Sequence, residues 1–192
     1  MGMYSTRAAA LSMDIRDEQS IQRAVEDIHR VLNQQFAVDV LVTVTGEGFK
    51  PCPPTQAQLV EFRAGVAENV IGPMLLIQKM HDLLKKSQYP RVVSMGSVLG
   101  SNYHAVRGWK TNTAIYSVTK AAANMMMTQF MLSDYADGIL YVTLNPGWVG
   151  PEEGGDPARA QDLLERSMSV IETLSEENNG QIIDFQGQNV EF

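Results

Sequence analysis

Short β-branched runs alternate with longer stretches of helical period along this chain, an alternation that argues for βα units around a parallel sheet. Val38-Asp39-Val40-Leu41-Val42-Thr43-Val44 is an apolar, valine-rich run of strand length, as a strand buried on both faces requires. Ile21, Val25, Ile28 and Leu32 before it step by four, three and four, the stripe of an amphipathic helix. Leu59 to Lys86 reads as a long helix interrupted at Gly72-Pro73. Arg91 to Met95 reads as a strand, Gly96 to Thr111 as a loop, Asn112 to Ala136 as a helix and Ile139 to Asn145 as a strand stopped by Pro146-Gly147. Asp156-Pro157 opens a helix to about Leu174, with an acceptor at the cap and proline in the first turn. Gln181 to Phe185 closes the pattern as a strand, and Ala8 to Asp14, a short apolar run, is read as the first. The fold class is α/β, a doubly wound parallel sheet of Rossmann-like type, abbreviated at the N-terminus, in a single domain over residues 1–192.

Composition narrows the function classes. With 44% apolar and 19% charged residues among 192, a sizeable core is available. The formal charge is −7 and no segment concentrates basic residues, so the footprint of a nucleic-acid binder is missing. No apolar run approaches the ~18 residues of a membrane span. Cys52 is the only cysteine, and with no signal-like start the expected compartment is the cytoplasm. His29, His81 and His104 are scattered, without a His-Glu-x-x-His pattern or a cysteine pair, so spacing supplies no metal site. Gly96-Ser97-Val98-Leu99-Gly100 lacks the glycine spacing of a hydrolase nucleophile elbow.

Chemistry gathers elsewhere. Tyr116 and Lys120 lie one helical turn apart, which places phenol and ammonium on one face. A tyrosine that works near pH 7 needs roughly three units of depression, and a neighbouring ammonium supplies part of it. Ser97, just beyond a strand's carboxyl end, is the hydroxyl positioned to hold a carbonyl substrate. The Tyr-Lys pair alone decides nothing, because six tyrosines and six lysines give a chance expectation of roughly 0.2 such pairs. Asn69 adds independent weight. It precedes Pro73 by four residues, so its backbone carbonyl loses its helical donor and is released to bind a water.

Asn69, Ser97, Tyr116 and Lys120 in this order and context resemble the short-chain dehydrogenase/reductase family. The long loop with Gly108-Trp109 and the ending Gly180-Gln181-Ile182-Ile183-Asp184-Phe185-Gln186-Gly187 are similar to its C-factor and sniffer-like carbonyl reductase branch. The resemblance implies an NAD(P)-dependent oxidoreductase, NADP ahead of NAD, that moves a hydride between nicotinamide and a small carbonyl or alcohol. It assigns catalysis to Asn69, Ser97, Tyr116 and Lys120. It assigns cofactor contacts to Asp14, Gly46, Lys120, Pro146, Gly147 and Val149, and it implies a homodimer through the Asn69 and Tyr116 helices. Departures accompany it. The family's opening strand, glycine-rich turn and helix have no counterpart before Ala8. Asn-Asn-Ala-Gly stands as Thr43-Val44-Thr45-Gly46, and the threonine expected after Trp148-Val149 is Pro151. The expectation is an intact proton-transfer set with a dismantled dinucleotide clamp, in a chain shortened from a longer one. A catalytically silent binding or regulatory protein is the alternative reading. With two strands missing, the Ala8 run is expected to move in and pair directly with Val38 to Val44.

Overall fold

The computed structural model describes residues 8–32, 37–108, 112–147 and 157–192. Four strands, β1 (Val40–Thr43), β2 (Arg91–Met95), β3 (Leu140–Asn145) and β4 (Ile182–Asp184), form one parallel sheet in the order β1-β2-β3-β4. The helices are α1 (Glu18–Leu32), α2 (Leu59–Val66), α3 (Gly72–Leu84), α4 (Asn102–Val106), α5 (Ala114–Ser133) and α6 (Pro157–Glu172).

Alternation along the strands divides the core in two. Val92, Ile139 and Tyr141 pack with Ile21 and Val25 of α1, Ile77, Met80 and Leu83 of α3, and Met127 of α5. Val93, Val142, Leu144 and Ile183 point the other way, onto Ile171 at the end of α6 and Leu174 just beyond it. Helices cover both faces because a parallel sheet is apolar on both. The sheet is thus doubly wound, and every strand ends on the same side. No described helix is long and apolar enough to cross a membrane.

Two expectations change. Residues 8–13 form no strand, are exposed and do not pair with β1, whose partner in the sheet is β2. The reason is local: Ala8-Ala9-Ala10 has little strand preference and no bulk to bury. Asp14, expected to end that strand, instead organises the entry to α1. Its carboxylate accepts from the Arg16 backbone N–H at 2.9 Å and pairs with the Arg16 guanidinium at 3.1 Å, and its own N–H donates to Ser20 Oγ at 3.0 Å. The stretch read as a loop after Gly96 contains a 3₁₀ turn at Val98–Gly100 and the short helix α4.

The helix interruption near Pro73 is real but takes a different form. α2 runs into α3 through a π turn at Ala67–Ile71 that is entered and left with helical dihedrals. Proline withdraws the donor that the Asn69 carbonyl would use. The chain responds by widening one turn, with the Gly72 N–H donating to the Ala67 carbonyl.

Candidate active site

Ser97, Tyr116 and Lys120 open on one cavity of about 960 Å³, lined from the carboxyl ends of all four strands by residues that include Thr45, Met95, Asn145 and Asp184. This crevice outside the strand ends is where open α/β sheets place their ligands.

Close packing fixes each side chain. Gly96 follows β2, and a Cβ there would stand 2.3 Å from Thr143 Cγ2 on the neighbouring strand. Ser97 is extended (φ −157°, ψ 142°) and caps the 3₁₀ turn, its Oγ accepting from the Leu99 N–H at 3.2 Å. The backbone of that turn presses on α5 at Gly100. Tyr116 is 8% exposed and meets the ring of Phe49 edge-on, with centroids 5.1 Å apart.

Lys120 is the best-buried charge of the site, at 1% exposure. Its Nζ donates to the Thr45 carbonyl at 2.6 Å and the Met95 carbonyl at 2.7 Å, and lies 5.6 Å from the centroid of the Tyr116 ring. Burial lowers its pKa to about 8, against the opposing charge of Glu68. An ammonium has three donors, so the two carbonyls leave one for a ligand.

Asn69 lies behind the cavity. Its Nδ2 donates to the Glu47 carbonyl at 2.8 Å and to Thr119 Oγ1 at 3.0 Å, and the Thr119 hydroxyl donates to the Tyr116 carbonyl at 3.0 Å. The π turn is thereby tied to the helix that carries Tyr116. Asn69 Oδ1 is buried without a hydrogen-bond partner.

Of the residues assigned to a cofactor from sequence, Gly46, Lys120, Pro146 and Gly147 line the cavity. Gly147 turns the chain at φ +78°, with the Phe185 ring 3.2 Å from where a Cβ would be. Asp14 is not in the wall, and Val149 lies outside the described residues. The Thr45 and Met95 carbonyls, Phe49, Glu68, Thr119 and His104 line the cavity or touch the residues that do, which spacing does not reveal. Carbonyls carry no sequence signature, although an acid at Glu68 in an apolar helix was a usable signal.

The donor set suits the nicotinamide and ribose end of a dinucleotide: a buried ammonium, a phenol and a hydroxyl around a partly apolar crevice. Gly46 and Gly48 follow β1, but the next element is a 3₁₀ turn at Pro54–Gln56. Among the described residues no glycine-rich strand-to-helix turn lines the cavity.

A profile of the short chain dehydrogenase family matches residues 1–160. The chain is 28% identical over 155 residues to the C-signal protein of Myxococcus xanthus, across 80% of this chain and 92% of that one. It superimposes on the carbonyl reductase Sniffer of D. melanogaster with a TM-score of 0.86 at 24% identity, covering 95% of this chain and 77% of Sniffer. An NADPH-bound carbonyl reductase from chicken fatty liver gives 0.85 at 22% identity, covering 94% and 75%.

Proposed function

The chain belongs to the short chain dehydrogenase family, and on that premise we propose that it is an NAD(P)-dependent carbonyl reductase, NADP ahead of NAD, acting on a small-molecule carbonyl or alcohol. The observation that carries this reading is the buried Lys120 one turn from Tyr116, both opening with Ser97 on the crevice at the strand ends. A nicotinamide, when bound, supplies the hydride. Lys120, with its remaining donor, and the wall at Gly46, Pro146 and Gly147 would hold the ribose and nicotinamide. The Ser97 hydroxyl holds the substrate oxygen, and Tyr116 gives its proton to that oxygen as negative charge develops there. The Lys120 charge favours the phenolate left behind. The released Asn69 carbonyl orders a water behind the phenol for proton return. This donor set favours an enzyme over a silent binding protein.

NADPH oxidation in the presence of an aromatic aldehyde tests the reading, and its pH profile carries a signature. The reductive direction needs Tyr116 protonated and Lys120 charged. Burial brings Lys120 to about 8, so the rate is level below that pH and then falls by about tenfold per unit as the ammonium loses its proton. A rate that climbs from pH 8 to pH 10 would contradict the role given to Lys120. No cofactor consumption or binding at millimolar NADPH or NADH would remove the enzymatic reading.

The family resemblance also supports a homodimer through the Asn69 and Tyr116 helices. Val118, Met125 and Leu132 recur every seven residues along α5 and are 49–60% exposed, and Leu59 and Val60 are exposed on α2. Sedimentation at micromolar concentration is expected to give twice the chain mass of 21.2 kDa. A monomer throughout would overturn this.

A further inference from the structure

At the end of the sheet opposite the cavity, His81 of α3 faces Asp134 and Asp137 at and beyond the end of α5. His81 Nε2 stands 3.3 Å from Asp134 Oδ2 and 3.4 Å from Asp137 Oδ2, and the three ligand atoms lie within 4.8 Å of one another. From this geometry we propose that His81, Asp134 and Asp137 form a zinc site that clasps α3 to the end of α5.

Three observations carry it. The first is spacing. Zinc bonds of about 2.0–2.2 Å to nitrogen and oxygen make the edge of a tetrahedron about 3.3–3.6 Å, a range that holds both separations from the imidazole. The second is that His81 Nε2 is buried and makes no hydrogen bond, although two carboxylate oxygens face it. An imidazolium held by those carboxylates would sit closer, near 2.7–2.9 Å. The third is that both carboxylates are already held in place. The Lys85 ammonium holds Asp137 Oδ1 at 2.9 Å, leaving Oδ2 to face His81, and the hydroxyl of Tyr141, fully buried on β3, donates at 2.5 Å to Asp134 Oδ2, the same oxygen that faces His81, which keeps a second lone pair for a metal. Such outer partners are what fix metal-binding side chains in place. With neutral imidazole, two carboxylates and one lysine the cluster carries a net charge of −1, suited to a divalent cation. The nitrogen ligand selects zinc over the all-oxygen preference of magnesium and calcium. A water completes the fourth position. Nothing in the spacing of His81, Asp134 and Asp137 along the chain announces this, because α3 and α5 meet only in the fold.

The test is zinc titration of the whole protein by calorimetry, with His81→Gln and Asp137→Asn alongside and cobalt(II) absorption as an independent readout. The expected result is one zinc per chain, at least tenfold weaker in either variant, a melting temperature raised by zinc in the wild type alone, and four-coordinate cobalt bands without a thiolate band. Magnesium should not compete. An unfolded variant leaves the wild-type stoichiometry and cobalt spectrum to decide. Overturning results are the absence of saturable zinc binding by the folded wild type, binding undiminished in both folded variants, or a thiolate band that places the metal on Cys52.

Discussion

Replacing Tyr116 by phenylalanine is expected to lower the rate of carbonyl reduction by about 10²- to 10⁴-fold, the range a positioned general acid supplies. The substitution deletes one oxygen. The ring keeps its edge-on contact with Phe49 and its place on α5, so circular dichroism and urea midpoint should stay near those of the parent. Cofactor affinity should change little, because the ammonium of Lys120 and the carbonyls that hold it remain. A variant that reduces aldehydes at the parental rate would show that the proton comes from another group. Single-turnover measurements at saturating cofactor separate this chemical loss from weakened binding.

Gly100→Ala is expected to damage stability and rate together. A Cβ at Gly100 would stand 2.8 Å from the Ala121 backbone nitrogen and 2.9 Å from the Lys120 carbonyl carbon. Both are backbone atoms of α5, so the turn and the helix must separate rather than a side chain give way. Overpacking of this kind costs about 1–3 kcal/mol, visible as a lower urea midpoint. The displacement also moves Lys120 relative to the Thr45 and Met95 carbonyls. A shift on the order of 1 Å at such a site lowers rates about 10²-fold. Gly46→Ala is the contrasting case. Nothing lies within 4 Å of its Cβ position and its φ is not positive, so stability should stay within about 0.5 kcal/mol. Equal losses of stability in the two variants would mean that the close contact between the 3₁₀ turn and α5 is not what a Cβ at Gly100 disturbs.

What could be read in the residues before any coordinates follows a physical division. Strands β2 and β3 are apolar runs bounded by turn residues, and both were located to within a residue from that signal alone. The Tyr116–Lys120 face follows from helical period, and an irregularity before Pro73 from its missing N–H, though not the π form that it takes. The Ala8 run looks like a strand by its apolar content alone, but short alanine-rich backbone has no side-chain surface to reward pairing, and residues 8–13 stay exposed. The order of residues could not tell that Lys120 would spend two donors on carbonyls, that Thr119 would join Asn69 to Tyr116, or that His81 would meet Asp134 and Asp137. Those contacts join residues between 25 and 75 positions apart, where sequence pattern carries no distance information. The cofactor role implied for Asp14 depends on a strand end that does not form, and its carboxylate is occupied with Arg16.

Transfer of label from NADPH dideuterated at C4 to an aromatic aldehyde bears most directly on the crevice between Ser97, Tyr116 and Lys120. Mass spectrometry of the alcohol is predicted to find one deuterium on the carbinol carbon with the parent protein and essentially none with Tyr116→Phe over the same time. Alcohol without deuterium, equal labelling by both proteins, or no alcohol with either would contradict the account.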